Sequence, residues 1–106
     1  MAVLFDLVHQ EPVKAYLAIE NQGVNPIVYN LQEFNGTTWV DMDEQGTLLN
    51  DILPASGEDC NRGMVIDSAY TTVRMLGSAS GGSVLGFSLT RRVDRVGGGT
   101  LPILTV

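Results

Sequence analysis

Histidine, cysteine and tryptophan each occur once in this chain, as His9, Cys60 and Trp39. A hydrolytic triad would have to be built on His9 alone, beside the Pro12 loop, and no second histidine exists to support it. One cysteine rules out an intrachain disulfide and fits a reducing compartment. Cys60 lies between Asp59 and Asn61, an acidic setting that does not favour a thiolate nucleophile. One His and one Cys also do not make a zinc site. No catalytic residue, metal ligand or cofactor-binding residue is assigned.

Basic residues are scarce as well. Twelve acids against six bases give a net charge of −6, which argues against nucleic acid and anionic membranes as partners. No apolar run approaches the roughly 20 residues of a membrane-spanning helix. The start, Met1 to Phe5, has no basic region and meets Asp6 at once. A soluble protein made in the cytoplasm without cleavable targeting is expected. There is no long segment of helical period.

The glycine-rich stretches lack what phosphate binding needs. Gly77–Gly86 leads into a strand pattern, and Gly97-Gly98-Gly99 has no following Lys-Ser/Thr. Asp41-Met42-Asp43-Glu44-Gln45-Gly46 opens like a calcium loop and then fails. Gln45 stands at its fifth position and Ile52 at its twelfth, where a bidentate Glu belongs.

What the chain does have is short β-prone runs and turn formers. Ile27–Asp43 organises them, with Asn35-Gly36 between two β-rich segments. That dipeptide predicts a hairpin with a type I′ or slightly longer turn and a positive φ at Gly36. Alternation sets Ile27, Tyr29 and Leu31 on one face, and Trp39 is expected buried beneath the hairpin, against Leu31, Val73 or Phe87. Further strands are read at Ala2–Val8, Lys14–Glu20, Met64–Ile66, Tyr70–Leu76 and Ser83–Arg91. Thr47–Leu53 reads as a strand or a helical turn, and Gly77–Gly82 as a flexible turn.

Seven to eight short strands with turns about every 8–12 residues predict an all-β fold, a single antiparallel β-sandwich or small barrel. The expected organisation is an N-terminal strand or arm over 1–13, a sandwich over 14–96, and a C-terminal arm or final strand over 97–106. The glycine run favours the arm, because three glycines resist regular structure.

Charge is split along the chain. Residues 1–73 carry eleven acids against Lys14 and Arg62, whereas Arg74, Arg91, Arg92 and Arg95 face only Asp94 beyond them. Arg91, Arg92 and Arg95 can steer the tail, and Leu101, Ile103, Leu104 and Val106 can bury against a neighbour by strand addition. These seven are the candidate partner-binding residues, beside the structural Asn35, Gly36 and Trp39. Tyr16, Tyr29, Tyr70 and Trp39 form a candidate aromatic platform for sugars.

Five segments carry a resemblance: Tyr16–Gly23, Ile27–Gln32, Asn35–Asp41, Tyr70–Met75 and Ser78–Gly82. With its Asn35-Gly36-Thr37-Thr38-Trp39 hairpin and later Tyr70-Thr71-Thr72-Val73-Arg74 strand, the chain resembles small β-sandwich modules of bacteriophage virions over residues 14–91. Asn35 stands where those modules commonly carry Asp. The resemblance implies a non-enzymatic structural protein, a head decoration or cement protein on the capsid surface. Its implied partners are the major capsid protein and further copies of itself, as a homo-oligomer such as a trimer. The alternative it leaves is a carbohydrate- or host-recognition module, or an accessory protein, on the tail or fibre.

Overall fold

The computed structural model describes residues 2–79, 83–91 and 94–103; for 91, 94–98 and 100–103 it describes the backbone alone. In chain order the strands are β1 (Ala2–Val8), β2 (Lys14–Asn21), β3 (Ile27–Phe34), β4 (Trp39–Asp41), β5 (Asp43–Glu44), β6 (Thr47–Leu48), β7 (Asn50–Leu53), β8 (Asn61–Asp67), β9 (Thr72–Ala79), β10 (Ser83–Arg91) and β11 (Asp94–Ile103). No helix occurs among the described residues. The fold is an all-β antiparallel sandwich, as the strand spacing predicts, although the eleven strands among the described residues exceed the expected seven to eight.

One sheet runs β1-β9-β3, and the far side of β3 is shared between two partners. Gln32–Phe34 pair with β4, while Ile27–Asn30 pair with β7. The other sheet runs β11-β10-β2-β8, and β5 and β6 form a separate small hairpin. Period-two alternation explains the inner faces. Ala15, Leu17 and Ile19 of β2, Ile27, Tyr29 and Leu31 of β3, and Val73 and Met75 of β9 all point into one core. Leu17, Leu31, Val73 and Met75 are fully buried, and each such side chain contributes about 1.5–3 kcal/mol by leaving water.

The extra strands come from an excursion around Leu31. Its N–H donates to Leu49 O (3.0 Å), its carbonyl accepts from Met42 N (2.9 Å), and Leu49 N donates to Met42 O (2.8 Å). The chain thus leaves the sheet at the buried Met42 and returns at the buried Leu49. Between them β5 and β6 turn through Gln45 (φ 51°) and Gly46 (φ 89°). Positive φ at both central residues is the type I′ signature, so the tight turn of this region lies here. Asn35-Gly36 instead begins a four-residue loop. Gly36 has the expected positive φ of 95°, and Asn35 Oδ1 accepts from Thr37 N and Thr38 N at 2.9 Å each.

Three further expectations are settled along the chain. Thr47–Leu53 contains β6 and β7 and no helical turn. Gly77–Ala79 belong to β9, so the flexible turn expected over 77–82 is corrected there, and its 80–82 part lies outside the described residues. Gly97-Gly98-Gly99 is not a hinge. All three lie within β11, opposite Leu89, Ser88 and Phe87 of β10. A ladder of backbone hydrogen bonds on a neighbouring strand can hold residues whose intrinsic freedom would favour coil. Residues 97–103 therefore continue the final strand, and the arm favoured from the sequence is replaced by the strand alternative.

Buried polar groups pin the loops. Asn21 is fully buried, donates Nδ2 to Asn25 O (2.7 Å) and Leu53 O (3.3 Å), and accepts from Gly23 N (2.9 Å). Ser68, also fully buried, donates to Glu33 Oε2 (2.6 Å) and accepts from Tyr70 N (2.9 Å).

Candidate functional site

With the inner faces filled by core, chemistry is left to the outer faces and edges. On the β1-β9-β3 sheet, strand register aligns Asp6, Arg74, Gln32 and Asp41 in one row across β1, β9, β3 and β4. Arg74 donates Nε and Nη2 to Gln32 Oε1 at 2.9 and 2.7 Å. Gln32 Nε2 and Asn30 Nδ2 then donate to one oxygen of Asp41, at 2.9 and 2.8 Å. The hydrogen bonds from Gln32 and then Asn30 hold the Asp41 carboxyl below the usual carboxylate range. Asn30 Oδ1 is buried without a hydrogen-bond partner among the described residues.

Trp39 is half-buried on this outer surface, which corrects its expected burial beneath the hairpin in the core. It pairs with Phe34 across β3 and β4, with ring centroids 5.2 Å apart, and the Arg74 guanidinium stands 4.0 Å from its ring centroid. Its aromatic and cationic neighbours are Phe34 and Arg74, on the sheet face opposite the buried Leu31 and Val73. The arrangement is a cation–π contact on a hydrogen-bonded row. It links β9, β3 and β4 through their side chains.

The opposite outer face carries a groove of about 830 Å³. Tyr16 and Val65, directly paired across β2 and β8, line it and are 49% and 45% exposed. The His9–Pro12 loop walls one side, and the Lys14–Asp67 ion pair lies at its rim. A smaller concavity beside it shares Val65 and Asp67 and is bounded by Asp43–Gln45 of the small hairpin. That hairpin leans on the edge of β8, where Glu44 Oε2 accepts from Val65 N (3.2 Å). Sequence reading missed this groove, because its lining comes from segments far apart in the chain, residues 9–16 and 65–67.

The four candidate platform aromatics do not converge. Tyr29 is 5% exposed and belongs to the core, where burial, followed by the nearby Asp51 charge, raises its hydroxyl pKa. Trp39 and Tyr16 lie on different sheets, and Tyr70 sits in the turn before β9. Cys60, read from the sequence as part of a polar loop, is buried, and Asn61 Nδ2 lies 3.9 Å from its Sγ. The carboxylates of the calcium-like loop diverge: Asp43 accepts from Gly46 N, Glu44 from Val65 N, and Asp41 from the β3 amides. Among the described residues no group of three His, Cys, Asp or Glu is placed to hold a metal ion.

Of the candidate partner-binding residues, Arg92, Leu104 and Val106 lie outside the described residues. Arg91 ends β10, and Arg95, Leu101 and Ile103 take ladder positions in β11 opposite Thr90, Leu85 and Ser83. Compared with known proteins, the chain matches no family description, no curated protein and no solved structure.

Proposed function

We propose that this chain is a non-enzymatic structural protein of a bacteriophage virion, a decoration or cement protein that bridges major capsid proteins on the assembled head. The observation that carries this reading is the unequal closure of the sandwich. On one side the small hairpin crosses to the edge of β8 through Glu44 and Val65. On the other, each sheet ends in a terminal strand, β1 or β11.

The β1 side leaves apolar surface uncovered. A bulge between Val3 and Phe5 turns both Leu4 and Phe5 toward the core. Phe5 stacks on Phe87 at 5.2 Å, yet Leu4, Phe5 and Leu7 remain half-buried. Val3 and Val8 on the same strand are 49% and 73% exposed. An apolar edge strand is a template for another chain. A protein that docks only on the assembled lattice stabilises it by mass action, and repeated copies at symmetric positions, as in a trimer, strengthen the effect. The resemblance of residues 14–91 to small phage virion modules supports the same reading.

The test compares purified virions with and without this protein for rupture by heat or osmotic shock. Lower rupture thresholds in its absence are expected, and equal thresholds would sink the cement role. Density for the chain on the tail instead of the head would transfer it to a tail or fibre accessory.

A further inference from the structure

We propose that the groove over Tyr16 and Val65 is a carbohydrate-binding site for a neutral or amino-substituted sugar ring. The inference does not depend on capsid docking, which uses the other side of the sandwich.

The decisive relationship is between Tyr16 and Gly63. A Cβ placed on Gly63 would stand 1.9 Å from the Tyr16 hydroxyl oxygen and 2.8 Å from the ring carbon that bears it. No side chain fits between the hydroxyl end of that ring and the strand, so Tyr16 reaches along β8 over Gly63 while also lining the groove. Tyr16 is half exposed there although it sits mid-strand on a paired position. A flat aromatic face open to solvent meets the C–H face of a pyranose, because the ring's negative face attracts the weakly positive hydrogens.

The rim supplies what sugar hydroxyls need. Lys14 and Asp67 are paired at one end, and His9, Glu11 and Thr90 line the same groove. Together they offer donors and acceptors around an apolar lining, the usual composition of a small-ligand site. The volume of about 830 Å³ accommodates more than one sugar ring. Charge selects the class of ligand. Glu11 and Asp67 line the groove, and Asp43 and Glu44 lie beside it, against the single lysine, Lys14. Sialylated or sulfated sugars would meet that acidic rim, whereas neutral and amino sugars would not.

The test applies the full chain to a printed array of neutral, amino-sugar, sialylated and sulfated oligosaccharides, then titrates the best-bound oligosaccharide by NMR. Binding confined to neutral or amino-sugar oligosaccharides is expected. Tyr16→Ala should weaken it by about tenfold or more, and Tyr16→Phe should retain most of it. Gly63→Val should weaken binding with the tyrosine still present, because the ring is displaced. Trp39→Ala, on the opposite sheet, should bind as the unaltered protein does. Thermal unfolding of each variant separates loss of the site from loss of the fold. An array without binding, a preference for anionic sugars, or binding that survives Tyr16→Ala would overturn the assignment. Virion rupture tests read none of these residues, so either conclusion can fail alone.

Discussion

Arg74 places two donors on one oxygen of Gln32, directly opposite it across β9 and β3, while its guanidinium covers the ring of Trp39. The contact fixes the role of the only tryptophan: it is a lid on a polar row. Trp39→Ala should therefore cost about 1–2 kcal/mol, the scale of a cation–π contact with an aromatic pair, and not the roughly 3–5 kcal/mol of a core aromatic. Arg74→Lys should cost a similar amount, since an ammonium reproduces neither the fork nor the stacking. Urea denaturation of both single variants and the double variant is the check. Coupling should appear as a double loss smaller than the sum.

The position of Trp39 was within reach of the sequence. Cross-strand partners share a face, and an even-numbered loop after Phe34 pairs Trp39 with Phe34 or Gln32, both opposite in parity to the core residues Tyr29 and Leu31. Its hydrophobicity competed with that parity, and parity prevailed. Inner faces were legible because alternation reports them directly, as at Ala15, Leu17 and Ile19. The excursion from Met42 to Leu49 was not, because Gln45-Gly46 is a weaker turn signal than Asn35-Gly36. The Tyr16 groove was not legible either, since Gly63 acquires its meaning only once β8 lies beside β2.

Asp41 makes acid stability informative. Its folded pKa lies below the unfolded value of about 3.9. The stability it contributes is present above that value and is lost as pH falls through the folded pKa. Melting temperature measured from about pH 5 downward should fall, with the steepest part below about pH 4. Asp41→Asn should flatten that part of the curve. An unchanged slope would show that the Gln32 and Asn30 hydrogen bonds do not favour the carboxylate.

Tyr29 sets the corresponding limit at high pH. Burial raises its folded pKa above the unfolded value of about 10. Its contribution is complete below that value and disappears as pH rises through the folded pKa. Tyr29→Phe should keep the fold and lose this alkaline dependence, measured by melting temperature between about pH 9 and 12. A variant as alkali-sensitive as the original would place the effect elsewhere.

The latch of the small hairpin is a local device. Glu44→Ala removes the acceptor of the Val65 N–H on the edge of β8. Global stability should fall by only about 0.5–1.5 kcal/mol, as for a single hydrogen bond. Amide exchange at Val65 should accelerate while exchange at Leu17 and Leu31 stays slow, because local opening needs less than global unfolding. Uniform acceleration would show that the hairpin is part of the global folding unit.

The last strand gives the sharpest contrast between the chain as read and the chain as folded. A glycine hinge predicts that deleting residues 97–106 leaves the melting temperature nearly unchanged. The observed ladder predicts the opposite. Residues 97–103 pair with β10 from Leu89 back to Ser83, and on β10 Leu85 and Leu89 are core residues at 0% and 3% exposure. Without β11 the outer side of β10 becomes a new edge with unpaired backbone groups over a core strand. The deletion should lower the melting temperature by well over about 5 °C, the shift expected for each kcal/mol in a domain of this size, and promote aggregation. Gly99 offers a gentler version of the test. It sits opposite Phe87 at φ 147°, with open space around the position of a Cβ. Gly99→Ala therefore introduces backbone strain without a steric clash, and a loss of about 1–3 kcal/mol is expected. Unchanged stability in both variants would return residues 97–106 to the role of an arm.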